Sequence, residues 1–85
     1  MNNREITKLR QQLDDVDKQL SSLLAKRIEL ATRIVILKTQ SGLAAEDIRR
    51  EQQVLQQVFA AVPKQYHHTV NAVYRILFSA AKEHG

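Results

Sequence analysis

An apolar seam runs along almost the whole of the first forty residues. Its members recur at alternating intervals of three and four residues: Ile6, Leu9, Leu13, Val16, Leu20, Leu23, Leu30, Ile34 and Leu37. These intervals are typical of the a and d positions of a long packed helix, and they predict a helix from about Asn3 to about Gln40. At 1.5 Å per residue this helix is roughly 55 Å long. The residues that follow are too few to cover it, so we expect a second copy of the chain to pack against the seam.

Position 27 interrupts the seam, because an arginine stands where an apolar residue is expected. Moving a guanidinium out of water costs several kcal/mol unless an anion or a carboxylate meets it. Arg27 is therefore either a ligand for a buried anion or a structural residue that sets the helix register or pairs with a carboxylate such as Glu51. The seam alone leaves both interpretations open.

The rest of the chain also reads as helix, since it contains few residues that break helices. The 85 residues include two glycines and one proline. Ser41 and Gly42 are expected to end the first helix. A second helix is predicted from about Ala45 to Val62, where Pro63 stops it, and a third from about Gln65 to Glu83. The predicted apolar faces contain Ile48, Leu55, Val58, Phe59 and Val62 in the second helix, and Val70, Val73, Tyr74, Leu77 and Ala81 in the third. We expect one all-α domain over residues 1–85, with one long helix and two shorter ones.

Composition narrows the class of protein. The absence of cysteine excludes disulfides and thiolate metal sites. Thirteen Lys and Arg against nine Asp and Glu give a net charge of +4, which suits an anionic partner such as nucleic acid, a membrane surface or a small polyanion. The start of the sequence does not resemble a signal peptide, and no apolar run approaches the roughly 20 residues that cross a bilayer. We expect a soluble cytoplasmic protein.

The chain offers no conventional catalytic apparatus. Nothing in it resembles a nucleophile with its base, a phosphate-binding loop or a metal cluster. His67 and His68 are adjacent, so their rings diverge by about 100° on a helix, and we expect both at the surface. Neither metal nor cofactor is expected, and any catalysis would work by electrostatics and positioning.

Charged residues on the apolar stripes are the candidates for a site. Arg27 and Lys38 are eleven residues apart, so they point within about 20° of each other at a separation of roughly 16 Å. Two cations on one helix face can grip two ends of one anion. In the second helix Glu51 lies on the apolar stripe, with Asp47 and Arg50 beside it. These three residues are expected to form one wall of the site.

Arg10 is about 25 Å along the helix from Arg27, too far to share a small-molecule site in the same chain. In an antiparallel pair of first helices, Arg10 of one chain comes alongside Arg27 or Lys38 of the other. Ordinary surface roles also fit these residues. Arg10 and Lys38 taken singly fit solvated flanking positions, and Arg50 fits a surface ion pair with Glu46 or Glu51.

Two segments of the sequence resemble the all-helical class of chorismate mutases. They are LRQQLDDVDKQLSSLLAKRIELATRIVILK and, after a short loop, EDIRREQQVL. The family pattern has a basic residue early in the long helix, an arginine inside it, a lysine near its end, and then a D-I-x-R-E element. This chain fills those positions, with the spacing unbroken, with Arg10, Arg27, Lys38, Asp47, Ile48, Arg50 and Glu51.

The resemblance implies an intertwined homodimer of three-helix chains that converts chorismate to prephenate in the shikimate pathway of aromatic amino-acid biosynthesis. Arg27 and the Arg10 of the second chain would bind the two substrate carboxylates. Lys38 would donate to the ether oxygen and Glu51 would receive the ring hydroxyl, so that Lys38, Arg27 and Glu51 are the expected catalytic residues. Asp47 and Arg50 would shape the pocket.

The third helix departs from the family pattern. That pattern has a small hydroxyl residue there and, four positions later, a Gln or Glu that also bonds the ether oxygen. Ala81 and Gly85 occupy these two substrate-binding places. The departure implies a weakened site or a related substrate.

Three interpretations follow. The first is a chorismate mutase, or a relative acting on isochorismate or 4-amino-4-deoxychorismate. The second is a non-catalytic regulatory module that binds chorismate or prephenate. The third, a basic dimer that binds nucleic acid, is disfavoured because Arg27 faces inward whereas phosphate contacts need exposed cations.

Overall fold

The computed structural model describes residues 3–85, and this part of the chain contains three α-helices and no strand. Helix α1 spans Asn3–Gln40, α2 spans Ile48–Ala61, and α3 spans His67–His84. A short 3₁₀ helix, Lys64–Tyr66, precedes α3. The predicted all-α class, with one long and two shorter helices, is confirmed. No helix within residues 3–85 is both long enough and apolar enough to span a membrane.

Helix α1 ends at Gln40, as its seam predicts, and a glycine closes it. Gly42 has a φ of 77°, in the left-handed region that side chains with a Cβ avoid. This turn lets the Leu43 amide donate to the Lys38 carbonyl at 2.7 Å and the Gly42 amide donate to Thr39 at 3.1 Å. The two bonds form the glycine-terminated cap that satisfies the last carbonyls of a helix.

Helix α2 begins at Ile48, three residues later than predicted, because Asp47 is its N-cap. The Asp47 side chain accepts a hydrogen bond from the Arg50 amide at 3.1 Å, so the residues before it are outside the helix. The helix ends at Ala61, because Val62 is extended ahead of Pro63. The apolar face extends less far than predicted, since 61% of Ile48 remains exposed.

Helix α3 packs along the C-terminal half of α1 and also contacts α2. The buried apolar residues lie at this junction: Val35, Leu55, Leu77, Phe78 and Ala81. Val73 was expected in this core, but 42% of it is exposed, so that prediction is wrong. The core therefore lies towards the C-terminal end of α3, next to the end of α1.

His67 is half-buried, which corrects the prediction that it lies at the surface. Its ring stacks on Phe59 with 4.6 Å between centroids, and its Nε2 lies 3.0 Å from the Val62 carbonyl oxygen. His68 is exposed, as expected. The two contacts of His67 connect the start of α3 to the end of α2 and stabilise the turn between them.

The N-terminal half of α1 projects beyond the other helices. Described residues 3–23 are all exposed, and the molecule measures 60 × 24 × 16 Å. All nine apolar members of the α1 seam are exposed in the single chain. The seam is thus left without cover by its own chain. Exposed apolar patches of this extent are unusual on monomers.

The left-handed turn at Gly42 gives a prediction for stability. Gly42→Ala should lower the free energy of unfolding by about 1 kcal/mol, because alanine is strained at this φ. Nothing lies within 4 Å of the position of an added Cβ, so a steric clash would not contribute. Urea unfolding followed by circular dichroism measures the change. Gly42→Asn is the control and should lose less, because asparagine tolerates this conformation. Equal stability of the alanine variant and the parent would contradict the assignment.

Candidate active site

A pocket of about 570 Å³ lies between the C-terminal half of α1, the start of α2 and the end of α3. Its charged lining residues are Arg27, Lys38, Asp47, Arg50, Glu51 and Lys82. Five of these six were identified from the sequence, and the fold brings all five together. Ala81 also lines the pocket. Arg10 and Gly85, the other two predicted site residues, do not line it.

Arg27 is held by aromatic rings. Its guanidinium carbon lies 5.1 Å from the ring centre of Tyr74 and 5.5 Å from that of Phe78. Tyr74 and Phe78 are four residues apart on α3 and therefore face α1 from one side of that helix. Cation–π contacts of this kind contribute roughly 0.5 to 1 kcal/mol each, and they fix the guanidinium without neutralising its charge.

Within residues 3–85, Arg27 forms no ion pair with a carboxylate. The interpretation of Arg27 as the structural partner of Glu51 is therefore wrong for the single chain. Its positive charge remains available to an anion in the pocket.

Lys38 and Asp47 form the first ion pair of the pocket. The Lys38 Nζ lies 3.7 Å from Asp47 Oδ2, and the two side chains are 23% and 51% exposed. Asp47 Oδ1 meanwhile caps α2. One carboxylate thus begins the second helix and holds the lysine near the end of the first. Lys38 is more enclosed than a solvated flanking residue would be.

Glu51 forms the second ion pair, with a lysine that our sequence analysis missed. Lys82 Nζ donates to Glu51 Oε2 at 3.0 Å and to Glu46 Oε1 at 3.4 Å. Arg75 Nη1 lies 3.9 Å from the other Glu51 oxygen, Oε1. The Glu51 side chain is only 14% exposed, so these cations compensate a largely enclosed carboxylate.

Both acidic partners stabilise the charged form of Lys82. The hydrogen bond to Glu51 and the negative charges of Glu51 and Glu46 raise the pKa of Lys82 above its ordinary value of 10.5, although partial burial opposes the shift. The signal for this residue was present in the sequence. Lys82 follows Phe78 by four residues and therefore lies on the same stripe of α3 as the buried phenylalanine.

Arg50 does not form the surface ion pair that was considered for it. Its guanidinium donates to the neutral Oε1 of Gln53 at 3.4 Å, and neither Glu46 nor Glu51 pairs with it in the described chain. Like Arg27, it keeps an uncompensated positive charge at the pocket wall.

The charges of the pocket lining therefore do not balance. Its four cations face two carboxylates, and the two ion pairs use both of them. Arg27 and Arg50 remain. A half-enclosed surface with two unpaired guanidinium groups fits a small ligand with two negative charges, because guanidinium binds carboxylate or phosphate through parallel hydrogen bonds.

Gly85 lies close to this region but packs against α1. A Cβ added there would lie 2.7 Å from Val35 Cγ1 and 3.1 Å from the Ala81 carbonyl oxygen. A larger residue at this position requires a shift of the end of α3. Neither Gly85 nor the Ala81 methyl group can donate a side-chain hydrogen bond into the pocket.

Arg10 is exposed on the projecting half of α1, seventeen positions before Arg27. That separation is about 25 Å along the helix, so Arg10 does not reach the pocket of its own chain. Its contribution across a dimer stays a prediction.

The fold and the site together define a class: an all-helical protein with a half-enclosed pocket whose lining has two more cations than carboxylates. The family model of chorismate mutase type II matches residues 9–85, and the chain belongs to this family. The resemblance identified in the sequence is thereby confirmed. The family is one of isomerases.

A curated relative is the T-protein of Enterobacter agglomerans. It is 45% identical over 51 residues, which cover 60% of this chain and 14% of the relative. The chain thus spans only about one seventh of the length of that protein. No solved structure gives a significant match.

The Lys82 ion pairs predict a dependence of stability on pH. Because the pKa of Lys82 is raised in the folded chain, the pairs stabilise the fold below pH 10.5, and this contribution is lost as the pH rises through the folded-state pKa. Lys82→Gln should therefore lower the urea midpoint at about pH 8, and the difference from the parent should shrink at about pH 11.

Lys64→Gln is the control for this measurement, since Lys64 is exposed and forms no ion pair in the described chain. Its difference from the parent should stay small at both pH values. A Lys82→Gln difference that was equal at both pH values would contradict the pairing.

Proposed function

We propose that this chain catalyses the rearrangement of chorismate to prephenate. Membership of the family supports the proposal, and the observation that carries it is the pair of uncompensated guanidinium groups, Arg27 and Arg50, in one pocket. Chorismate carries two carboxylates, so its two negative charges match in number the two excess positive charges of the pocket lining. In this proposal Arg27 binds one carboxylate, and Arg50 contributes to the positive wall at the start of α2.

The reaction itself requires few reactive groups from the protein. It is pericyclic: one carbon–oxygen bond breaks while a carbon–carbon bond forms, and no proton transfer or covalent intermediate is needed. Catalysis then consists of holding the side chain folded over the ring and stabilising negative charge that grows on the ether oxygen. A pocket with fixed charges and no nucleophile is suited to this task.

In this mechanism Lys38 donates to the ether oxygen. Its ammonium group has three donors, and the 3.7 Å contact with Asp47 engages it only loosely. Glu51 accepts the ring hydroxyl, since a carboxylate can accept more bonds than its two cationic neighbours occupy. Asp47 positions both Lys38 and the first turn of α2.

The proposal includes a homodimer in which Arg10 of each chain completes the site of the other. The support is the exposed seam along the projecting half of α1, which needs apolar cover, and the position of Arg10 on that half. We take residues 1–85 as one domain in this assembly, with Met1 and Asn2 outside the described residues. Chorismate and prephenate are charged metabolites of aromatic amino-acid biosynthesis, which supports a cytoplasmic location.

A non-catalytic module that binds chorismate or prephenate is the second candidate. The observation that favours it is Ala81, whose methyl group lines the pocket where a second donor to the ether oxygen would help catalysis. Nucleic acid fits less well, because Arg27 is half-buried and its guanidinium lies against the rings of Tyr74 and Phe78.

Substitution of Arg27 tests whether this residue binds a substrate carboxylate. Arg27→Leu should lower kcat/KM for chorismate at least about 100-fold, since hydrogen bonds to charged groups are worth about 1.5 to 3 kcal/mol each and a carboxylate would lose two. The thermal midpoint should change little, because leucine keeps the apolar contacts and no carboxylate loses its partner. Loss of chorismate absorbance gives the rate. Arg49→Leu, at an exposed position outside the pocket, should leave the rate unchanged; equal rates for both variants would refute the assignment.

Lys38 separates the enzyme from the binding module. Lys38→Met should lower kcat by about 100- to 1,000-fold with a smaller change in chorismate affinity, because the ether oxygen gains its charge only in the transition state. Single-turnover rates and calorimetric dissociation constants give the two quantities. Turnover that does not change in the Lys38 variant would contradict the role of Lys38 at the ether oxygen. Binding of chorismate without any turnover in the parent would favour the module.

A substitution in the apolar seam of α1 tests whether the chain forms a dimer. The parent should sediment at twice the 9.8 kDa mass of one chain. Leu13→Glu, within the seam, should dissociate and unfold it at micromolar concentration, because a buried, unpaired carboxylate is costly. Gln11→Glu adds the same charge on the opposite face of α1 and should leave the mass unchanged. A folded monomer in the parent would rule out a shared site.

A further inference from the structure

We propose that Lys82 determines which ring substituent the site accepts, favouring a neutral hydroxyl over an ammonium group. This inference rests on the proposed function, because it concerns the substituent that Glu51 would receive. It bears on the choice between chorismate and 4-amino-4-deoxychorismate, which differ in this group.

The placement of Lys82 carries the argument. It lines the pocket beside Ala81, and its Nζ lies 3.0 Å from Glu51 Oε2. The contact with Glu46 at 3.4 Å fixes the ammonium from the loop before α2. Lys82 is thus held between two helices with its charge directed at the one carboxylate that would contact the ring substituent.

This neighbour changes what Glu51 can attract. A carboxylate alone binds an ammonium group more strongly than a hydroxyl, because the full charges attract each other. However, Glu51 already has two cationic neighbours, Lys82 Nζ at 3.0 Å and Arg75 Nη1 at 3.9 Å, and Lys82 is shared with Glu46 at 3.4 Å. A third cation beside Glu51 would be repelled by both of these cations, so it would gain less from Glu51 than from an unpaired carboxylate.

A hydroxyl group escapes this repulsion. It is neutral and needs only one free lone pair, and the Glu51 oxygens have about four acceptor sites for their two cationic neighbours. The amine of 4-amino-4-deoxychorismate is an aliphatic amine, so it is protonated near neutral pH. The paired Glu51 therefore accepts the hydroxyl substrate and disfavours the ammonium one.

The test compares kcat/KM for chorismate with kcat/KM for 4-amino-4-deoxychorismate at neutral pH. In the parent this ratio should favour chorismate. Lys82→Gln removes the charge and should lower the ratio at least about tenfold, mainly through better use of the amino substrate. Lys82→Arg keeps the charge and should keep the preference. Lys64→Gln, which removes a distant surface charge, should leave the ratio unchanged.

A loss of stability alone would lower both rates and leave the ratio unchanged, so the ratio separates specificity from folding. Lys82→Met repeats the measurement with an unbranched side chain of similar length in case the glutamine variant does not fold. If the parent turns over chorismate and the ratio of the two kcat/KM values is the same in the parent, Lys82→Gln and Lys82→Met, the proposed role of Lys82 is wrong. That result would leave the proposed function standing. A parent that turns over neither compound would overturn the proposed function, and this inference with it.

Discussion

The length of α1 is the constraint on which the rest of the structure depends. The helix has 38 described residues, whereas α2 has 14 and α3 has 18, so its own chain can cover only one half of it. Packing of α3 selects the C-terminal half, where Val35, Leu77 and Ala81 form the core. The pocket lies at that end because the cap at Gly42 reverses the chain there. The projecting half keeps its apolar seam exposed, which is the physical reason for proposing a dimer.

Electrostatic pairing divides the four cations of the pocket into two that have carboxylate partners in the described chain and two that do not. Lys38 and Lys82 have carboxylate partners, whereas the guanidinium groups of Arg27 and Arg50 have aromatic or amide neighbours that leave their charges intact. This difference follows from geometry: Asp47 and Glu51 lie one helical turn apart, and each already has a lysine close by. What remains is an excess of two positive charges, which the proposed dianionic ligand would neutralise.

Much of this arrangement could be predicted from the sequence, and the failures have physical causes. The bounds of α1 followed from a seam that has no breaker until Gly42. The start of α2 was predicted three residues early, because apolar periodicity does not reveal that Asp47 caps the helix rather than entering it. The five charged pocket residues of α1 and α2 were recognised because they interrupt or flank apolar stripes. Lys82 was missed although it does the same in α3. Gly85 packs against Val35 and does not line the pocket, so its part in the site stays a prediction.

Arg27 and Lys82 show why a cation on an apolar stripe has no single meaning. Both lie on helix faces that carry buried residues, yet within residues 3–85 Arg27 has no carboxylate partner while Lys82 has two. Deleting a paired cation leaves a carboxylate uncompensated in a half-enclosed place, so the fold itself depends on the pair. Deleting an unpaired cation removes an unfavourable desolvation, so its retention requires another reason, and ligand binding is the one that the pocket supports. The partner of a half-buried charge, more than its degree of burial, therefore separates Lys82, which organises the pocket, from Arg27, which we propose binds the ligand.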